Sequence, residues 1–527
     1  MSDLEKNINE AAPYSVDSFD EKDVEVGEQI ITSDAYESGV ESESKEGSSS
    51  EKLGLGARMN MLATKYKMEV IGIEQVPEDK RTDKSPWTPG FLWFSVNLVL
   101  PPVSIGTLSS SVFYLSFWDA VLASIFFNFL GCIPVAFYAT LGPEFGLRQM
   151  AMSRFWFGYH GVKIFSILNV IGSVCWTALN TIVAASLLHA INDGQLPEWA
   201  GILIVAVLVL IISCFGYKVL HFFEQWTWLP TMIMLWILIA RLQMSHTFAP
   251  GKLAVGQAEA GNVLSYGATL FGGANGWATY AADYSVYQRK DASKWKIFIA
   301  VFFGVSIPLI FCSIIGNAII CAADNSTRLG DAYDDNGFGG LIYAIMVTDA
   351  LHGFGKFCTV VLALSCVGVS VVNIYSLAFC MQTVSHYFAY VPRFLWSAIG
   401  TGVYFGISMG AYYNFSQYIE NFMDIIAYWI CIYEGISLPE HFIFKKGNLK
   451  SYRVEDITHP ERLPPGYATA FAFACGVGGV VLGMDQVWWA GPAATAIPGD
   501  IGWEFALAFS FVGYMVARPI ERHYFRR

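Results

Sequence analysis

From residue 89 onward the chain alternates long apolar runs with short polar connections. A membrane span needs roughly 20 predominantly apolar residues, because about 1.5 Å of rise per residue then crosses a hydrocarbon core of about 30 Å. About twelve runs reach that length: 89–113, 118–141, 162–190, 199–217, 226–243, 262–285, 296–322, 354–384, 391–411, 414–437, 466–490 and 502–520. The pattern predicts an all-α polytopic membrane protein over 86–527, preceded by a polar tail over 1–85.

Two runs are interrupted. Span one carries Pro101-Pro102 in "NLVLPPVSIGTLSSS", followed by Ser104 and Thr107, and span six carries Gly272, Gly273 and Gly276 in "LFGGANGWATY". Breaks free backbone groups that lipid cannot satisfy, so they persist where protein covers them or a wet cavity adjoins them. Spans one and six occupy equivalent places if the chain is two inverted five-helix halves plus two further helices, and matched breaks of this kind point to a transporter's midplane site. Ordinary kinks are the competing explanation, since Gly and Pro are common in membrane helices.

Composition agrees with the pattern: 54% of residues are hydrophobic and 14% charged, against about 45–50% and about 25% in soluble domains. The net charge of −12 resides in the tail, where about 20 acids face about 10 bases before residue 86. No nucleic-acid partner is expected. The serine-rich stretch "SGVESESKEGSSSEK" is too polar to bury apolar area, so a disordered cytoplasmic tail is expected, read either as a regulatory segment open to phosphorylation or as a solvated extension. "ARMNMLATKYKMEV" at 57–70 reads as a linker or an amphipathic surface helix. Lys and Arg fall in alternate connections, from Arg148 and Arg154 to Lys445 and Lys446, which places those connections and both termini in the cytoplasm. The sequon at Asn325 then faces outward. Ten scattered cysteines show no metal or disulfide spacing, and the glycine-rich "GVGGVVLG" lies inside span eleven, so no metal or cofactor is expected.

In the middle of span three, Trp176 and Asn180 are spaced i and i+4 and share a helix face. Trp277 follows the span-six break. Two indoles beside one cavity can grip a flat ring, and a buried amide can read its edge. Packing or an interfacial belt is the more usual role for a lone Trp, and helix adhesion for a lone Asn; mid-span position separates Trp176 from belt residues such as Trp228 or Trp488. Span eight offers Ser365, Ser370 and Asn373, of which Asn373 is favoured as a second amide. Ser104 and Gly273, at the breaks, complete the candidate substrate-binding set.

Uphill uptake needs a coupled ion, and intramembrane acids are the usual carriers. Glu144, Glu224, Asp283, Asp424 and Glu434 are the candidates. Asp424 is the first choice for proton coupling; Glu144, beside "FGLRQM", is either a second coupling residue or a structural ion-pair partner. No catalytic constellation is evident, so an enzyme is not expected, and a channel would not need broken helices with asymmetric polar groups. A secondary transporter and a non-transporting ligand sensor derived from one remain.

The stretches "LWFSVNLVL", "FGLRQM", "NVIGSVCWTALNT", "GWATYAADYSVY", "GFGKFC", "YIENFMDIIAYW" and "GDIGWEF" resemble the fungal purine-cytosine permeases of the nucleobase:cation symporter family. That resemblance covers nearly all of the chain after the tail. It implies a twelve-helix, five-plus-five inverted-repeat (LeuT-like) fold and proton-coupled import of purine bases and cytosine across the plasma membrane. It also implies that Trp176, Asn180, Trp277 and Asn373 line the base pocket. The span-eight motif departs from the family, which usually has an Asn-Asn pair and a proline where this chain reads Val369, Ser370 and Val372. Loss of two amides predicts a planar nitrogen heterocycle with a hydrogen-bonding edge unlike that of cytosine, and vitamin B6 (pyridoxine) or another heterocycle or nucleoside carried by the same family is the alternative substrate. Oligomeric state is not legible.

Overall fold

The computed structural model describes residues 72–527 apart from 215, 216, 390 and 498. Most of the expected tail, with the 57–70 segment, lies outside the described residues. The principal helices are α1 (Thr88–Asn97), α2 (Leu100–Ser111), α3 (Phe117–Ala139), α4 (Arg154–Ile191), α5 (Glu198–Cys214), α6 (Tyr217–Met244) and α7 (Gln257–Asn275). They are followed by α8 (Lys294–Asp324), α9 (Thr327–Met346), α10 (His352–Val384), α11 (Arg393–Ala411), α12 (Phe415–Pro439), α13 (Tyr467–Gly483) and α14 (Gly502–Phe525). A hairpin of β1 (Asp485–Gln486) and β2 (Trp489–Ala490) joins α13 to α14.

Their polarity is inverted relative to a soluble bundle. On α3 the exposed positions are Leu122, Phe126 and Ile133, whereas Ser124 and Asn128 point inward; α5 exposes Leu203, Val207 and Ile211. Apolar outer faces over an interior that holds polar as well as apolar side chains suit a lipid surround. Six helices among the described residues are long and apolar enough to cross a membrane, or seven when α1 and α2 count as one bent span. This is fewer than the runs read from the sequence, because α5 and α13 are short, α11 and α12 form one continuous stretch, and α7 and α14 do not combine the length with so apolar a composition.

The span-one break lies two residues earlier than the prolines. Leu98 and Val99 leave the helical region, α1 and α2 meet at 54°, and Pro101 and Pro102 sit in the first turn of α2. There a proline loses nothing, because its missing N–H would have no intrahelical acceptor. The freed N–H of Leu100 donates to the Ser365 hydroxyl of α10 at 3.3 Å. Span six also breaks later than its first glycines: α7 runs through Gly272 and Gly273, ends at Asn275, and continues as tight turns over Gly276–Thr279 and Ala281–Tyr284. Gly272 serves contact instead, since a Cβ there would strike the Met423 carbonyl of α12.

Two further segments differ from the sequence reading. The acidic connection after α8 is helical: α9 bends at Asn336 and Gly337 and buries Phe338, Leu341, Ile342 and Ile345. Those four apolar positions have helical spacing, which the acidic residues before them obscure. Residues 72–83 lie against the helices. The Val76 N–H donates to the Gly146 carbonyl at 2.8 Å, Arg81 donates to the carbonyls of Val76 and Pro143, and Asp83 bridges to Gln288.

Candidate functional site

Helix α4 presents a polar stripe at Asn169, Ser173, Trp176 and Asn180, one side chain per turn along a single face. Its lower half bonds to the turns that follow the span-six break. The Asn169 amide donates to the Thr279 carbonyl at 3.4 Å and accepts from the Thr279 hydroxyl at 2.7 Å, and Ser173 pairs with the Tyr280 hydroxyl at 2.8 Å. Trp176 then packs over Gly276, where an added Cβ would lie 3.2 Å from the indole nitrogen. One helix thus covers the break with two residues and offers the next two to a cavity.

That cavity lies between the two breaks. It is bordered by Asn97, Asn128, Trp176, Asn180, Gly273, Trp277 and Val369, with apolar wall from α2, α7 and α8. The indoles of Trp176 and Trp277 are nearly parallel, 14° apart, with centroids separated by 6.4 Å. A ring touching both faces needs roughly 7 Å, twice a carbon contact distance of about 3.5 Å, so the pair is set slightly closed. The cavity volume of about 30 Å³ agrees, being room for a water or two (about 10–15 Å³ each by the same measure) and less than a heterocycle requires.

Each wall is held differently. The Trp277 indole N–H donates to Asn97 Oδ1 at 2.8 Å, and Asn97 Nδ2 donates to the Trp93 carbonyl at 2.8 Å, so this indole is locked from span one. Trp176 is half-buried and rests edge-on against Phe422, with centroids 5.5 Å apart. Asn180 is 1% exposed, and neither its Nδ2 nor its Oδ1 has a hydrogen-bond partner among the described residues. A buried polar group without a partner costs about 1–3 kcal/mol, and a ligand edge in the cavity would supply what is missing.

Trp176, Asn180, Trp277 and Gly273 therefore come together as the sequence suggests. Asn373 does not reach the cavity: α10 contributes Val369, and Asn373 lies one turn further on, buried with both amide atoms unpartnered. Ser104 is turned back on its own helix, donating to the Pro101 carbonyl at 2.7 Å, while Ile105 faces the cavity. Asp424 is buried on α12 and accepts from Thr269 and Gln486. Glu144 pairs with Lys294 at 2.6 Å, the arrangement of a structural partner. Asn97 and Asn128 were not anticipated, although Asn97 stands immediately before the span-one break, where a mid-span amide is itself a signal.

Comparison with known proteins decides the family. Residues 75–496 match the family described as permease for cytosine/purines, uracil, thiamine, allantoin. The chain belongs to this permease family. It is a multi-pass membrane transporter and not an enzyme. The purine-cytosine permease fcyB of Emericella nidulans is 42% identical over 89% of this chain and 92% of its own length. The purine-cytosine permease FCY2 of Saccharomyces cerevisiae is 42% identical over 87% of each chain. The vitamin B6 transporter TPN1 of the same yeast stands further off, at 29% identity over 87% of this chain and 88% of its own. Among solved structures, Mhp1, a nucleobase-cation-symport-1 family transporter in a closed conformation with bromovinylhydantoin bound, superimposes with a TM-score of 0.66 at 13% identity, covering 86% of this permease and 95% of Mhp1.

Proposed function

We propose that this permease imports a purine base or cytosine across the plasma membrane together with a proton. The observation that carries the reading is the pairing, in one cavity between two helix breaks, of near-parallel indoles with a buried amide that has no partner. Stacking on Trp176 and Trp277 would contribute about 1–3 kcal/mol per ring face whatever the base. Asn180, with two donors and an acceptor, would read its edge. We place the cavity at the centre of a core of twelve spans, two inverted five-helix repeats and two added helices, with both termini in the cytoplasm. The support is the matched position of the breaks in α1–α2 and α7 and the basic residues in alternate connections.

A second reading has one specific support. Val369 puts an apolar side chain on the cavity wall at a position where the resembling family usually carries an amide, and this favours a ring with fewer edge partners, such as pyridoxine. Uptake of labelled cytosine, adenine and pyridoxine into cells lacking their own carriers, with and without a protonophore, separates the readings. Accumulation of cytosine or adenine that the protonophore abolishes is expected. Accumulation of pyridoxine alone would select the second reading, and saturable binding without accumulation would indicate a sensor.

A further inference from the structure

The connection between α13 and α14 folds back against α12 and brings a second carboxylate to Asp424. Asp424 is 2% exposed, Asp500 1% and Gln486 7%. The Gln486 Nε2 group, with two hydrogens to give, lies 2.9 Å from Asp424 Oδ2, 3.2 Å from Asp500 Oδ2 and 3.0 Å from the Tyr428 hydroxyl. The Tyr428 hydroxyl donates to Asp500 Oδ2. One side-chain amide thus spans two buried carboxylates, while its own Oε1 has no partner among the described residues.

The two acids are not equivalent. Asp500 accepts from Tyr428, Gln486 and the backbone N–H groups of Asp485, at 2.8 Å, and Gly502, at 2.9 Å. Asp424 accepts from Gln486 and, at 3.2 Å, from the Thr269 hydroxyl. The ionisable groups facing the pair from the adjoining elements are Tyr428 and Glu420 on α12, Asp485 on the hairpin and Glu504 at the start of α14. None is basic, and no ion pair among the described residues involves either carboxylate. Two buried carboxylates on one amide group, with no cation facing them, form a site where a single proton relieves both like-charge repulsion and the cost of desolvation.

The pair is also wired to the substrate cavity by three consecutive residues of α12. Phe422 touches the Trp176 indole, the Met423 carbonyl abuts Gly272, and Asp424 holds Thr269, one helical turn before Gly273. A change in charge at Asp424 therefore acts on the same segment of α7 that ends at the break.

We propose that Asp424 and Asp500, bridged by Gln486 and Tyr428, form the binding site for the coupling proton. The proton resides on Asp424, and Asp500, with more donors, keeps its charge. This deepens the proton-coupled reading above and rests on it. Protonation makes one O–H bond and breaks none in the protein. It converts Asp424 Oδ2 from acceptor to donor, and rotation of the Gln486 amide then offers that donor the unpartnered Oε1. With basic connections inside, the hairpin lies on the outer side, so the proton arrives from outside and is released inward with the base.

The test uses the full chain in liposomes with a pH dye enclosed. Addition of adenine or cytosine to the wild type should drive proton entry. Asp424→Asn and Asp500→Asn should each reduce base accumulation under an imposed pH gradient at least tenfold, yet retain exchange of labelled for unlabelled base. Gln486→Leu keeps both acids and should shift the pH of half-maximal uptake by about one unit; it decides the matter if the Asn variants fail to reach the membrane. PH-driven accumulation that survives in both Asn variants, or an unshifted pH profile in Gln486→Leu, overturns the proposal. So does accumulation driven by sodium with no proton entry. Wild type that neither exchanges nor accumulates any base would instead refute the transport reading itself.

Discussion

Two buried polar regions of this permease differ in what they leave unpaired. Near the end of α14, Arg518 donates to both carboxylate oxygens of Glu440, each at 2.9 Å, and to Glu521 at 2.7 Å. The other Glu521 oxygen accepts the N–H groups of Gly466 and Ala468, at the start of α13. Every charge there has a protein partner, and the cluster clamps α12, α13 and α14. In the cavity, Asn180 is as deeply buried and has none. A satisfied network has one arrangement and serves as scaffold, whereas an unsatisfied one gains when a ligand arrives. Burial alone does not distinguish scaffold from site; an unpaired polar group that also faces a cavity does, and Asn180, unlike Asn373, meets both conditions.

The sharpest way to break this contrast is to open the clamp. Arg518→Ala leaves two buried carboxylates without their cation and should cost about 3–5 kcal/mol, read as loss of monodisperse protein in detergent and of thermal stability. Asn180→Leu should do the opposite: stability unchanged or raised, because no internal bond is lost, with base affinity weakened roughly a hundredfold in competition uptake. If the Asn180 variant unfolded, or bound bases normally, the comparison would fail.

Smaller effects sharpen it. Trp176→Ala and Trp277→Ala should each weaken apparent affinity at least about tenfold, the equivalent of one lost stacking face. Trp277→Ala should in addition lower stability, since its N–H is bonded to Asn97, whereas the Trp176 indole nitrogen makes no hydrogen bond to another described residue. Competition curves and melting curves on both variants check this difference. Val369→Asn adds an amide to the cavity wall and should improve cytosine recognition by a few-fold, about the net effect of one hydrogen bond, measured as the ratio of cytosine to adenine inhibition constants.

Much of the site was legible because its parts are local. Trp176 and Asn180 share a face by spacing alone, and a glycine-rich interruption in an apolar run marks a break. The precise positions of the breaks were not, since Pro101 and Pro102 read as a disruption yet begin a helix, and Gly272 reads as a hinge yet serves a close crossing with Met423. Asn373 shows a related limit: it shares a face of α10 with Val369, one turn away, and only the packing of the bundle sets which of those two levels the cavity reaches.

The sequence by itself determined that this chain lives in a membrane, which of its stretches are apolar, that two of them are interrupted, and which polar side chains lie within them. These follow from periodicity and from the price lipid sets on free backbone groups. Only the tertiary structure decided that Asp424 meets Asp500 through Gln486, 62 residues away along the chain, and that Asn180 stays unpaired while Asn97 is used to hold Trp277. Pairing across helices depends on how they rotate and cross, and those angles are settled by the packing of the whole bundle.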